Sequence, residues 1–155
     1  MSGALAIVDG TTLRFYDDYC FTVGKKGNQH TEYDDVRMRE ILFLEQPDIT
    51  YLEIQHAMPK QGVTSTFKTG MGYGLWRGLL AGLNLKNERI RAQDWQQVFF
   101  KGLGGGDTKN LSYQVLSGLY PDAAPLLRGP RGGLFDGRCD AGLIAVFGTR
   151  RQRIA

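Results

Sequence analysis

Near the C-terminal end of this chain, Phe135-Asp136-Gly137-Arg138-Cys139-Asp140-Ala141-Gly142-Leu143 sets two carboxylates four residues apart. In an α-helix that spacing puts both on one face. Like charges so placed repel by a few tenths of a kcal/mol unless a cation lies between them. The same residues also suit a helix start, with Asp136 as N-cap and Asp140 in the first turn, where the helix dipole favours acids. A third carboxylate, Glu53, falls inside the β-prone run Ile49 to Ile54, bounded by Pro47 and Pro59. An ionised carboxylate buried alone costs several kcal/mol, so Glu53 must stand at an exposed strand end, pair with a cation or bind a metal. Carboxylates open on one side suit a hard divalent cation such as magnesium, which takes oxygen ligands and keeps several waters.

Stepping along the chain, the Glu53 strand leads into a loop, Gln55 to Ser65, with His56 near its start and Lys60 near its tip. Gly70, Gly72 and Gly74 then mark a glycine-lined helix start that permits close backbone approach, and Leu75, Trp76, Leu79, Leu80 and Leu83 continue it at helical spacing. At the N-terminal end, Ala4 to Val8 and Thr12 to Tyr16 are paired strands separated by Asp9-Gly10, a hairpin-turn dipeptide. Asp9 therefore reads first as a turn residue. A third extended segment, Cys20 to Val23, ends in the turn-prone Gly24 to Asn28. Asp34 or Asp35 caps a helix carrying Val36, Met38, Ile41, Leu42 and Leu44, which stops before Pro47. Glu88 to Ala92 is the last strand, and Gln93 to Phe99 a short helix with Trp95 and Phe99 in the core. The loop Gly102 to Gly106 leads to Thr108, an N-cap for a helix bearing Leu111, Val115 and Leu119. Glycines followed by Thr108-Lys109 lack the Gly-Lys-Ser/Thr order of a P-loop, which argues against a nucleotide cofactor.

The 155 residues suit one domain, residues 1–155, with no linker or repeat to divide it. Apolar runs are too short for a membrane span and no signal-peptide pattern opens the chain, so the expected location is cytoplasmic and no membrane partner is expected. Two cysteines, Cys20 and Cys139, form neither a disulfide framework nor a zinc pattern. The net charge of +3 is unevenly distributed. Residues 1–60 hold 10 acidic and 6 basic side chains, net −4, and residues 61–155 hold 6 acidic and 13 basic, net +7. The second part is the expected face for a polyanion recognised through its phosphates; solvated charge on helix faces is the equally ordinary alternative.

Leu52-Glu53, then His56-Ala-Met-Pro-Lys-Gln-Gly-Val-Thr-Ser-Thr-Phe67, then Gly72-Tyr73-Gly74-Leu75-Trp76 resembles the RuvC-type Holliday junction resolvases, in particular the phage and organellar branch. Asp136-Gly-Arg-Cys-Asp140-Ala-Gly-Leu-Ile-Ala145 matches the same family, and the match runs from Ser2 to Gly148. The resemblance implies an α/β, ribonuclease-H-like fold: a mixed sheet flanked by helices. It places Glu53 on the family's second acid and Asp136 and Asp140 on the third and fourth, all three as catalytic magnesium ligands, with manganese as the alternative ion. It implies DNA contacts at His56, Lys60, Lys68, Gly70, Gly72, Tyr73, Lys109 and Arg138. His56 is equally suited to a hydrogen-bonding role, and Lys109 to being a solvated lysine.

The implied function is a metal-dependent, structure-specific endonuclease that cuts four-way DNA junctions in recombination or phage DNA processing. A homodimer is expected, because the junction offers two symmetric strands. In the family a first strand ending Asp-Pro-Gly precedes a segment like Ser2 to Ala6, and here Met1 stands where that linker would be. The first central strand and its Asp are thus expected to be missing, with an in-frame Gly-Ile-Asp-Pro-Gly-like segment upstream; alternatively the protein is a degenerate member, or Asp9 acts as the first acid. This gap supports a second reading, a catalytically defective junction-binding protein of the same fold. A third is a related nuclease acting on other branched DNA.

Overall fold

Gly10 makes the first turn of the fold. In a computed structural model describing residues 3–17, 19–57, 59–104 and 106–154, β1 (Leu5–Asp9) and β2 (Thr12–Tyr16) pair antiparallel, Leu5 opposite Tyr16 and Asp9 opposite Thr12. Gly10 and Thr11 form the two-residue loop, and Gly10 has φ +58°, the positive angle a type II′ turn requires at its first central residue. The turn lies one residue later than Asp9-Gly10 suggests. Asp9 ends the strand as an exposed side chain, 3.8 Å from Arg14 across the hairpin. Ser2 of the matched N-terminal segment, Met58 of the loop and Gly105 of the expected glycine loop lie outside the described residues.

Backbone contacts divide the chain into two units, residues 1–17 with 90–155, and residues 18–89. The first is built on one helix, α5 (Asp136–Ile154). The β1–β2 hairpin, α3 (Ala92–Phe100), α4 (Thr108–Leu119) and a 3-10 helix (Pro121–Leu127) all pack on it. Its charge order suits its dipole, with Asp136 in the first turn and Arg151 and Arg153 in the last. Trp95, Phe99, Leu116, Leu127, Cys139 and Leu143 are buried. Gly142 sets the approach of α4: a Cβ there would lie 2.5 Å from Leu116 Cδ2 and 3.2 Å from Cδ1. The N-cap of α4 is Asp107, not Thr108; its carboxylate accepts from the Lys109 amide at 3.3 Å. The 3-10 helix escapes sequence reading because Pro121 and Pro125 look like loop residues; Pro121 takes the first position, where its missing N–H has no helical partner to lose, and Pro125 lies inside the helix.

In the second unit, β3 (Cys20–Val23) pairs antiparallel with β4 (His30–Tyr33) across the turn closed by the Asn28 amide on Lys25 O, 2.9 Å. His30-Thr31-Glu32-Tyr33 is too polar to announce itself as a strand. α1 (Asp35–Glu45) is capped by Asp34, which accepts from the Arg37 amide at 2.9 Å. It buries Met38, Ile41 and Leu42, whereas Val36 and Leu44, read as part of the same apolar stripe, are exposed. β5 (Thr50–Glu53) pairs with β6 (Asn87–Ile90), the Thr50 amide donating to Lys86 O at 2.9 Å. Between them α2 (Val63–Gly82) begins well before the glycines, so Gly70, Gly72 and Gly74 lie inside the helix rather than at its start. A Cβ at Gly72 would collide with the Tyr33 ring. Tyr33 donates its hydroxyl to Lys68 O at 3.3 Å and lies parallel to Tyr19 at 6.4 Å, and Trp76 meets Tyr19 edge-on at 5.3 Å.

The strands form three two-stranded sheets rather than one mixed sheet. Among the described residues β1 bonds only to β2 and β5 only to β6. Among the described residues each therefore has one edge outside any ladder. Among the described residues no helix is long and apolar enough to cross a membrane.

Candidate active site

α5 starts where the Phe135 carbonyl accepts from the Arg138 and Cys139 amides, at 3.0 and 3.1 Å. Asp136 is thus the first helical residue rather than the N-cap, and its Oδ1 accepts from the Gly137 amide at 3.1 Å, satisfying one of the orphan donors of the helix end. Asp140 lies one turn on, outside the capping role. α4 supplies a partner to each acid from residues three apart on one of its own faces. Lys109 Nζ is 2.8 Å from Asp136 Oδ2, and the Ser112 hydroxyl donates to Asp140 Oδ1 at 2.7 Å. Ser112 is the one buried polar side chain among the described residues. Two carboxylates from α5 and two donors from α4 therefore form a matched set.

The hydrogen-bonded Lys109 ammonium holds the Asp136 carboxyl below the ordinary carboxylate range, against the opposing effect of partial burial. Lys109 is correspondingly raised, first by its hydrogen bond to Asp136 and then by that carboxylate's charge. Between the acids in sequence, the Cys139 thiol is pushed up to about 11 by burial and then by the charges of Asp140 and Asp136, so it is an inert thiol at neutral pH. A depressed carboxyl pKa stabilises the folded state above the unfolded-state carboxylate range, and that contribution is lost as pH falls through the folded value. In Lys109→Met the Asp136 carboxyl should titrate at higher pH, followed by its side-chain carbon resonance. An unmoved titration would remove Lys109 as the cause.

Arg138, expected on DNA, is already engaged: Nε and Nη2 donate to Asp17 Oδ2 and Oδ1 at 3.0 and 2.9 Å, and Nη1 donates to Leu126 O at 2.7 Å. Its guanidinium also lies 4.5 Å from the Phe135 ring centroid. Arg138 ties the end of β2 and the 3-10 helix to the first turn of α5, so we read it as a positioning residue. Asp17 gave no sequence signal, because its partner is 121 residues away. Asp9, at the hairpin tip, pairs with Arg14 instead of joining a carboxylate cluster.

In the second unit, Glu53 is the half-buried last residue of β5 and accepts from Gln55 Nε2 at 3.1 Å. His56 is exposed just beyond it, and exposed Lys60 takes a positive φ of +66° in a turn, an uncommon conformation for a residue with a side chain. Lys68 and Tyr73 are half-buried on α2, with the Arg77 guanidinium 5.7 Å from the Tyr73 ring. Gly70 and Gly74 leave open space over the helix backbone, whereas Gly72 is filled by Tyr33, which makes it a packing glycine.

Among the described residues no three His, Cys, Asp or Glu side chains gather as a metal cluster. The Asp136–Asp140 face nevertheless fits a magnesium ion. Its donors are hard oxygens, Asp136 already holds a cation in Lys109, and magnesium is commonly bound by one or two carboxylates with waters and substrate phosphates.

No family model matches the chain. It is 29% identical over 97 residues to the chloroplastic Holliday junction resolvase MOC1 of Chlamydomonas reinhardtii, a stretch covering 63% of this chain and 10% of that protein. The chain thus spans about a tenth of the length of this curated relative. A Thermus thermophilus RuvC structure superposes with a TM-score of 0.56 at 14% identity, over 96% of each chain. The T. thermophilus RuvC in complex with Holliday junction substrate gives 0.58 at 13% identity, over 97% of this chain and 90% of that one. The chain has the ribonuclease-H-like α/β fold of RuvC, and its resemblance to RuvC-type resolvases stands.

Proposed function

We propose that this chain, which carries the RuvC fold, is a divalent-metal-dependent endonuclease that cuts four-way DNA junctions. The observation that carries the reading is the pairing of Asp136 and Asp140 on one face of α5, each held by its own donor from α4. Asp136 and Asp140 would hold magnesium, or manganese, from this face. When bound, the ion supplies a water made nucleophilic near neutral pH and charge stabilisation for a phosphodiester. Ser112 fixes the rotamer of Asp140, and Lys109 keeps Asp136 ionised. Glu53 is proposed as a further acid required for cleavage, and His56, Lys60, Lys68, Gly70 and Tyr73 as the DNA-facing set of the second unit. The test is a magnesium cleavage assay on four-way and linear duplex DNA, run beside a gel shift without metal. Junction-selective cleavage is expected; junction binding with no cleavage in magnesium or manganese would instead select the binding-protein reading.

A homodimer would suit the two symmetric strands of a junction. Val63, Phe67 and Met71 support it, running at i, i+4 and i+8 along α2 while remaining 87%, 69% and 37% exposed. Gly74 and Gly78 beside them have open space where a Cβ would be, which would let a second copy approach closely. Phe67→Glu should shift the mass measured by sedimentation from dimer to monomer. A dimer that persists unchanged would reject this face as the interface.

A further inference from the structure

We propose that Arg131 is a DNA-phosphate contact, presented by a rigid ribbon immediately before the acid-bearing helix; this deepens the junction-nuclease reading and rests on it. Residues 128–134 form a small antiparallel ribbon, with Arg128 bridged to Leu134. The Gly129 amide donates to Gly133 O at 2.8 Å and the Gly132 amide to Gly129 O at 2.9 Å. Gly132 has φ +80°, a conformation that costs a glycine little. Arg128 braces the turn from the side, donating Nη1 to Gly132 O at 2.9 Å while its guanidinium lies 4.3 Å from the Tyr113 ring centroid on α4. The ribbon is joined to α5 without slack, because the Phe135 amide donates to Leu127 O at 2.9 Å and the Phe135 carbonyl starts the helix.

The cations around the start of α5 are otherwise committed within the protein. Lys109 pairs with Asp136, Arg138 with Asp17, and Arg128 with Gly132 and Tyr113. Arg131 stands exposed at the tip, and among the described residues it makes no hydrogen bond, ion pair or ring contact. A free guanidinium on an ordered turn matches the fork geometry of a phosphate and loses little freedom on binding. Five residues span at most about 17 Å, so Arg131 is tethered close to Asp136. At roughly 3.4 Å of rise per nucleotide, the phosphate it takes lies within a few nucleotides of one held at the acids.

The test uses the whole chain with a four-way junction, without metal for binding and with magnesium for cleavage. In Arg131→Ala, junction affinity at low salt should fall roughly tenfold, and the slope of log affinity against log salt should become shallower by about one. Arg131→Lys should recover the slope, and the cleavage rate at saturating enzyme should stay at the wild-type value in both variants. Wild-type affinity and slope in Arg131→Ala would overturn the assignment of Arg131 alone, as would a lower saturating rate at unchanged affinity. Failure of the unmodified protein to bind any junction would overturn the nuclease reading and this inference with it.

Discussion

In Asp140→Asn, magnesium-dependent cleavage of a four-way junction should fall by roughly 100-fold or more, the loss associated with removing one preorganised electrostatic contributor, while metal-free junction binding stays near the wild-type level. The substitution keeps shape and removes charge. Ser112 remains able to donate to the retained amide oxygen, so the α4–α5 contact at this point survives. Glu53→Gln should give the same phenotype from the other unit, since it leaves the β5 backbone untouched. Cleavage at the wild-type rate in both variants would sink the nuclease assignment. Loss of both binding and folding would instead make these carboxylates structural. Thermal unfolding beside the cleavage assay separates these outcomes.

The second large effect is on stability and concerns the contact on which the acid face depends. Leu116→Ala should destabilise the protein by about 2–5 kcal/mol, because Leu116 is fully buried and its removal leaves a cavity between helices. Gly142→Ala should cost about 1–3 kcal/mol for the opposite reason, since its methyl has no room beside Leu116. Combined, the two changes should cost less than their sum, because the new methyl enters space that the leucine has vacated. Urea denaturation of the four proteins of the cycle measures this coupling, expected at about 1 kcal/mol or more in the favourable direction. Strict additivity would mean that α4 and α5 shift apart instead of interlocking.

Which features were legible in the sequence follows from the range over which each is determined. α1, α3 and α5 could be anticipated from caps, Pro stops and apolar spacing, all local signals. The hairpin was anticipated too, although its turn moved by one residue because Gly10, rather than Asp9, can take the positive φ first. The start of α2 was misplaced because Gly70, Gly72 and Gly74 look like a break, whereas only Gly72 answers to a local demand, the Tyr33 ring beside it. β4 gives no sequence signal because three of its four residues, His30, Thr31 and Glu32, are polar. At the acid face, residue types and spacing announce Asp136 and Asp140, and the resemblance supplies Lys109. The resemblance places Arg138 on DNA, and its bond to Asp17 stays hidden because that partner is 121 residues away; nothing local distinguishes a committed arginine from a free one. The same limit hid the status of Arg131, whose freedom emerges only when the partners of its neighbours are known.

The Asp17–Arg138 bond, which ties β2 to α5 across 121 residues, also fixes an order of events during synthesis. Residues 18–89 are contiguous, so that unit can emerge from the ribosome and fold from its own sequence. The unit bearing Asp136 and Asp140 combines both ends of the chain. Its β1–β2 hairpin is made early and must wait for α5, which follows much later in the chain. Closing a loop of that size is entropically dearer than closing a local one, and long-range contacts form slowly. Until α5 has emerged, the Asp17–Arg138 bond cannot form and the hairpin lacks the helix on which it packs.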